Sequence, residues 1–269
     1  MSHGKTDYLL GVGDAGAIRL RLLHRVYGSG TERLLSDAGL ASGMRVTDIG
    51  CGIGTVALWM AQQVGAAGSV VCVDKSPEQL ALARCSATES GYTNMTFLEA
   101  SAEHIDLPSD SFDLVYCRFL LDHLIDPQAA VIEMRRLLRP NGVLVTETLD
   151  LGGIATDPPD PTYADEVRLM SEISAARGID GASGMKVHRL LRAAGLADIE
   201  VRLNQPAYLR GEEKRFWEYS IAESKGALVG HGFCALEVVE RRVREIQRVN
   251  LDETVLVALP RCVQVWARK

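Results

Sequence analysis

From Gly43 onward, apolar and polar positions alternate in blocks that predict strands and helices in turn. Arg45–Ile49 reads as a strand, and Thr55–Val64 as a helix stopped by Gly65-Ala66-Ala67-Gly68. Ser69–Asp74 is an almost continuous apolar run, the pattern of a strand buried on both faces. Ser76-Pro77-Glu78-Gln79 predicts a helix start, with serine as N-cap, proline in the first turn and glutamine completing a capping box. That helix runs to about Ser90, with Gly91 just past its end. Met95–Glu99 and Phe112–Cys117 read as the third and fourth strands. Asp126-Pro127 opens a helix to about Leu138, closed by Pro140-Asn141-Gly142, and Gly142–Leu149 reads as the fifth strand. Strict strand–helix alternation predicts an α/β fold with a doubly wound, parallel sheet and right-handed crossovers.

The flanks follow other patterns. Residues 7–40 carry a helical apolar stripe, interrupted at Gly28-Ser29-Gly30. This segment precedes the first strand and reads as an N-terminal helical element, 1–40, outside a core of 41–269. It covers a site as a lid or packs as a plain appendage. After Asp150 the chain passes through the loop Asp157-Pro158-Pro159-Asp160-Pro161 into a predicted helix, Tyr163–Arg177. A second amphipathic helix ends near Gly195, and Ile199–Leu203 reads as a strand. Residues from about 205 to 252 are largely helical and read as a cap inserted before a last strand, Cys262–Ala267.

The candidate chemistry lies between the first two strands. Asp48-Ile49-Gly50-Cys51-Gly52-Ile53-Gly54-Thr55 places a glycine turn between a buried strand and a helix, and the next strand ends on Asp74. That order builds a nucleotide-type cofactor site at the carboxyl ends of parallel strands. Glycines let backbone approach a ligand where a Cβ would collide. Ser76 already occupies the capping position, which leaves Asp74 to accept hydrogen bonds from a ribose diol. A dinucleotide site wants G-x-G-x-x-G, and Thr55 stands where its third glycine would fall.

Bulk composition narrows the class. The 269 residues suit one large domain, and 47% apolar with 24% charged residues is ordinary for a globular protein. A net charge of −6 argues against nucleic acid as main partner. No apolar run reaches the length of a membrane span, and Met1-Ser2-His3-Gly4-Lys5 lacks a signal-peptide core. A cytoplasmic location is therefore expected, with no membrane partner. The six cysteines show no C-x-x-C spacing and the six histidines no H-x-x-x-H pair, so free thiols and no metal are expected.

The D-x-G-x-G-x-G form resembles motif I of the class I S-adenosylmethionine-dependent methyltransferases. Further motifs are similar: Glu99-Ala100-Ser101-Ala102-Glu103, the run Ser111-Phe112-Asp113 into the fourth strand, Cys117–Leu124, and Arg139-Pro140-Asn141-Gly142 where the family usually has Lys-Pro-Gly-Gly. Asn141 is a mild departure that tolerates positive φ. Asp7-Tyr8-Leu9-Leu10-Gly11 resembles a bacterial small-molecule subgroup, often of natural-product pathways. The resemblance covers residues 43–267. It implies a Rossmann-like sheet of seven strands, the last antiparallel and inserted beside the fifth, with S-adenosylmethionine as cofactor.

It also implies roles. Gly50, Cys51, Gly52 and Gly54 would cradle the methionine part of the cofactor, with Asp48 fixing the loop or the ammonium through water. Asp74 would hold the ribose, Lys75, Ser101, Ala102 and Glu103 would border the adenine, and Tyr8 would reach the cofactor from the N-terminal segment. Arg118 would neutralise the cofactor carboxylate, line the substrate entrance, or pair with Asp122. His123 and Glu147 are the candidate general bases. His24, Tyr27, Tyr208 and Trp217 are the candidate acceptor contacts, and such residues equally glue a helical cap to a sheet. The expected acceptor is a small molecule, with an aromatic or indole-type natural product as the finer expectation. A protein acceptor, a dinucleotide-dependent dehydrogenase and a non-catalytic cofactor-binding scaffold stand as alternatives, and a homodimer is the expected assembly.

Overall fold

A computed structural model describes residues 13–179 and 183–269. The chain starts on helix α1 (Gly13–Asp37), then runs β1 (Arg45–Ile49), α2 (Thr55–Val64), β2 (Ser69–Asp74), α3 (Pro77–Glu89), β3 (Met95–Glu99) and β4 (Phe112–Arg118). A 3₁₀ turn at Leu121–His123 leads to α4 (Pro127–Leu137) and β5 (Leu138–Asp150). Next come β6 (Ala155–Asp157), α5 (Pro161–Ala176), α6 (Val187–Ala193), β7 (Ala197–Asn204) and β8 (Ala207–Tyr208). The last stretch holds α7 (Phe216–Gly230), α8 (Leu236–Leu251), β9 (Leu256–Ala258) and β10 (Arg261–Arg268).

The main sheet has seven strands in the order β3-β2-β1-β4-β5-β10-β7. Neighbours from β3 to β5 pair in parallel, and β10 runs antiparallel to both β5 and β7. The order reverses between β1 and β4, so their carboxyl ends open a crevice at a topological switch point. β1 and β4 bury nearly every residue, because helices cover both faces of the sheet. One apolar cluster joins α4 and α6 to one face, and another joins α1 and α2 to the other. A third cluster, around Tyr27, Phe216, Ile246 and Val257, binds α1 to the helical cap. A small sheet, β6-β9-β8, stitches that cap to the end of β5 and was not expected from the sequence.

Three boundaries depart from the sequence reading. Helix α1 passes unbroken through Gly28-Ser29-Gly30. These glycines serve close packing instead: a Cβ on Gly28 would sit 3.0 Å from the His24 ring, and one on Gly30 would overlap the Asn204 amide at 2.1 Å. Strand β5 begins at Leu138, before Pro140-Asn141-Gly142. Asn141 takes φ 65°, and the partners of β4 jump from Phe112–Leu138 to Leu114–Val143, so the motif forms an irregularity within the strand rather than a helix stop. The expected helix at 184–196 is a 3₁₀ turn, Ser183–Lys186, followed by the short α6.

Candidate active site

The switch-point crevice opens into a cavity of about 430 Å³, within the usual range for small-molecule sites. Its floor is the β1–α2 loop. The backbone N–H groups of Gly50 and Cys51 donate to the Val73 carbonyl at 2.8 and 3.0 Å, which folds the loop back onto β2. Gly50 and Gly52 hold φ 74° and 54°, values that only glycine reaches without strain. A Cβ on Gly50 would press on the Leu120 side chain at 3.2 Å, and one on Gly52 on Leu20 at 3.3 Å. Bare backbone therefore faces the cavity at both positions.

Asp74 closes this floor from the end of β2. Its Oδ2 accepts from the Gly52 N–H at 2.8 Å and its Oδ1 from the Ser76 N–H at 2.9 Å. The expected capping box is thus shared differently. Ser76 Oγ accepts from the Gln79 N–H at 3.2 Å, but Asp74, not Gln79, satisfies the Ser76 N–H. Gln79 turns to the cavity, and its Oε1 is buried without a hydrogen-bond partner. Each carboxylate oxygen of Asp74 keeps a further lone pair for a ligand hydroxyl.

Asp48, one residue before the loop's first turn, is 3% exposed and lines the cavity. Burial pushes its carboxyl up to about 7, with Asp74 and Glu147 adding to the rise and the Arg118 guanidinium opposing it. Beyond β4, Phe119 takes φ 53°, an uncommon conformation for an aromatic residue. Its N–H donates to the Glu147 carbonyl at 2.7 Å, and the turn that follows places Asp122 and His123 on the cavity. Burial holds the His123 imidazole below its ordinary value; Asp122 opposes that shift, whereas Arg19, Arg177 and Lys75 reinforce it. Burial raises Asp122, whose Oδ1 has no hydrogen-bond partner.

Of the residues singled out from sequence, Asp48, Gly50, Cys51, Gly52, Asp74, Lys75, Ser101, Ala102, Glu103, Arg118, His123 and Trp217 line this one cavity. Ser101 and Glu103 also bond each other. Tyr8 lies outside the described residues. Gly54 is not on the wall: at φ 78°, its Cβ would meet Ala83 Cβ at 3.0 Å, so the third glycine lets α3 pack against the start of α2. Arg118 does not pair with Asp122. Its Nη1 donates to Thr31 Oγ1 at 3.3 Å, and the guanidinium lies 5.5 Å from the Phe119 ring centre.

Glu147 requires correction as a general base. It is fully buried beneath the wall, and four groups hold its carboxylate. Thr31 Oγ1 and Tyr116 OH donate to Oε2 at 2.7 and 2.6 Å, Gln264 Nε2 donates to Oε1 at 2.8 Å, and the Cys262 thiol lies 3.5 Å from Oε1. Glu147 therefore braces α1 against β4, β5 and β10. His24, Tyr27 and Tyr208 also miss the cavity. The Tyr27 hydroxyl donates to the Pro260 carbonyl at 2.8 Å and its ring stacks edge-on against Phe119 and Phe216, so it is core. His24 packs under Gly28, and Tyr208 joins the cap cluster.

Sequence reasoning missed Arg19, Gln79 and Arg177, all on the cavity. Arg19 carried one legible signal: a cation within the apolar stripe of α1, between Ile18 and Leu20. Among the described residues, no cluster of three or more His, Cys, Asp or Glu side chains is placed to hold a metal ion.

A methyltransferase-domain family model matches residues 40–195, more than half of the chain. This chain belongs to the methyltransferase family. The match runs from just before β1 to the end of α6 and so includes the glycine loop, Asp74 and the turn carrying His123. A ubiquinone/menaquinone biosynthesis C-methyltransferase of Hahella chejuensis is 32% identical over 147 residues, 52% of this chain and 59% of that protein. A methyltransferase of Streptomyces halstedii, GfsG, is 33% identical over 128 residues, 47% of this chain and 45% of that protein. The methyltransferase thus spans about half the length of these curated relatives. A putative methyltransferase from Bacillus halodurans superposes with a TM-score of 0.63 at 20% identity, over 90% of this chain and 99% of that one, which establishes the shared fold.

S-adenosylmethionine is the cofactor of this family, and the residues present fit it. Gly50 and Gly52 bring backbone without Cβ atoms to the cavity, and a carboxylate with spare lone pairs ends β2. The buried acid Asp48 faces the same space, and Gln79 Oε1 is a buried acceptor without a partner. Acids and acceptors suit a cofactor that carries positive charge.

Proposed function

We propose that this protein transfers the methyl group of S-adenosylmethionine to carbon, nitrogen or oxygen of a small-molecule acceptor with an aromatic or heteroaromatic ring. The observation that carries the reading is the continuity of one cavity. The glycine loop, Asp74, His123 and the aromatic side chains Phe119, Phe216 and Trp217 all line it. Two reactants held together in it are brought within reach of each other.

In this reading Asp74 accepts the ribose hydroxyls while its bonds to Gly52 and Ser76 keep it aimed. Gly50, Cys51 and Gly52 bring backbone against the methionine part, and Arg118, steadied by Thr31, faces its carboxylate. Ser101, Ala102, Glu103 and Lys75 border the adenine. Asp48 offers negative charge to the cation. S-adenosylmethionine supplies a methyl group on a sulfonium, so the leaving group needs no protonation. The protein's task is alignment for in-line displacement and exclusion of water. As the acceptor–carbon bond forms and the carbon–sulfur bond breaks, the acceptor's proton passes to a ring nitrogen of His123, which the lowered affinity for protons keeps neutral and ready. Of the four acceptor contacts anticipated from sequence, Trp217 alone is retained.

The test incubates purified protein with methyl-deuterated S-adenosylmethionine and fractionated bacterial extract, then finds the label by mass spectrometry. Label in a small molecule is the expected result. Label only in protein or RNA would keep the transfer and overturn the acceptor class. Cofactor binding without any labelled product would move the reading to a scaffold.

A further inference from the structure

Side chains of both charges line the cavity. Asp48, Asp74 and Glu103 stand at the carboxyl ends of the strands or just beyond, on the glycine-loop side. Lys75 and Arg118 add cations at or just past the strand ends, and Arg19 from α1 and Arg177 from the residue after α5 add two more from helical elements. His123 lines the same cavity, and the charges of Arg19 and Arg177 both reach it.

Arg19 is an unusual arginine. It is 5% exposed, on the face of α1 that lines the cavity. Among the described residues it bonds through Nε alone, which donates to Glu223 Oε2 at 3.0 Å. Neither Nη takes a hydrogen-bond partner among the described residues, and the other Glu223 oxygen is buried and unpartnered. An Arg–carboxylate pair built for stability is commonly bidentate. Here Glu223 holds the guanidinium from one side and leaves its forked end unengaged. A forked, permanently charged donor that is nearly out of water costs stability unless something meets it. The cavity is where it can be met. Ser174, Ser220 and Ser224 add hydroxyls to the same helical wall, and Phe216 and Trp217 supply flat apolar surface beside them.

We propose that the acceptor carries a carboxylate on its ring, bound by the forked end of Arg19 with Arg177 as second cation. The proposal rests on the methyltransferase reading above for the word acceptor. The carboxylate site itself stands on the placement of Arg19 and Arg177. A carboxylate is favoured over a phosphate because one planar fork matches its two oxygens, while the Ser220 and Ser224 hydroxyls already donate to the Phe216 and Ser220 carbonyls and leave fewer donors for a phosphate's further oxygens.

Calorimetry on matched pairs tests the site without knowledge of the natural substrate. Indole-3-carboxylate, benzoate and salicylate, each beside its primary amide, are titrated into the full chain saturated with S-adenosylhomocysteine and, separately, into the chain alone. At least one acid is expected to bind about tenfold or more tightly than its amide. Arg19→Gln is expected to bring that ratio below about threefold, and Arg19→Lys to retain part of it. Circular dichroism checks that each variant folds, and the wild-type acid-to-amide ratio decides the matter even if a variant does not. Equal binding of acid and amide, or no binding by any pair, overturns the carboxylate site. Refusal of S-adenosylhomocysteine together with a clear preference for the acids would sink the methyltransferase reading and keep the anion site.

Discussion

At the glycine-loop end of the cavity, the wall is mostly main chain. Gly50, Cys51 and Gly52 present backbone, and the carboxylate of Asp74 is itself fixed by two backbone N–H groups. The rest of the wall is side chain, much of it contributed by α1, α5 and α7, elements far apart in the chain. Main chain can be shaped only by a few residue types at fixed spacing, so the first end is written in a short local motif. A side-chain wall tolerates many residue types, and one fold can thereby serve many acceptors. The methyltransferase-domain match covers the loop and α5 but neither α1 nor α7.

If the two ends differ in this way, variants should separate along the same line. The largest effect is expected outside both, at the brace. Glu147→Ala strips acceptors from Thr31, Tyr116 and Gln264 and should cost about 3 kcal/mol or more in chemical denaturation, while activity per folded molecule falls less than about tenfold. A stable variant with activity lost would return Glu147 to the role of base. Next, Asp74→Ala removes charge-assisted bonds at the loop end and should weaken S-adenosylhomocysteine binding about 100-fold by calorimetry. A change under about threefold would remove Asp74 from the ribose.

At the junction, His123→Asn should lower kcat about 100-fold with KM for cofactor little changed. The wild-type rate should also hold to below pH 6.5, because the imidazole must be neutral and burial lowers its affinity for protons. A rate that falls already above pH 7 would contradict that assignment.

Asp48 gives a smaller, pH-dependent effect. Its carboxyl titrates near 7 when folded and near 3.8 when unfolded. Between those values the folded chain holds the extra proton, so stability falls as pH rises from about 4 to 7 and stays low above. Asp48→Asn should therefore gain about 2 kcal/mol at pH 8 and nothing at pH 4. Cofactor affinity should run the other way and rise from pH 6 to 8 in wild type, as Asp48 ionises to meet a cation. Thermal melts and calorimetry across that range would check both trends, and parallel curves for wild type and variant would refute them. The smallest effect is at Gly54→Ala, expected to cost about 1 kcal/mol through positive φ and contact with Ala83, a loss read in stability more than in affinity.

Much of the β-α core is legible residue by residue. Ser69–Asp74 reads as a buried strand and is one, and Ser76-Pro77 starts α3 where capping chemistry places it. The misreadings share a cause. Gly28 and Gly30 read as a helix break because glycine weakens helices locally, but Gly28 makes room for the His24 ring and Gly30 for Asn204, more than 170 residues later. Glu147 at a strand end looked like a base, yet its environment comes from α1, β4 and β10.

The fold class, the glycine loop and the acid at the end of β2 follow from the chain alone, since strand periodicity, positive φ and capping act between residues a few positions apart. Which carboxylate is a brace and which lines the cavity was decided only by tertiary packing. So was the arrival of Arg19 and Arg177 beside His123. Burial, hydrogen-bond partnership and charge proximity are properties of neighbours in space, and here those neighbours come from opposite ends of the chain.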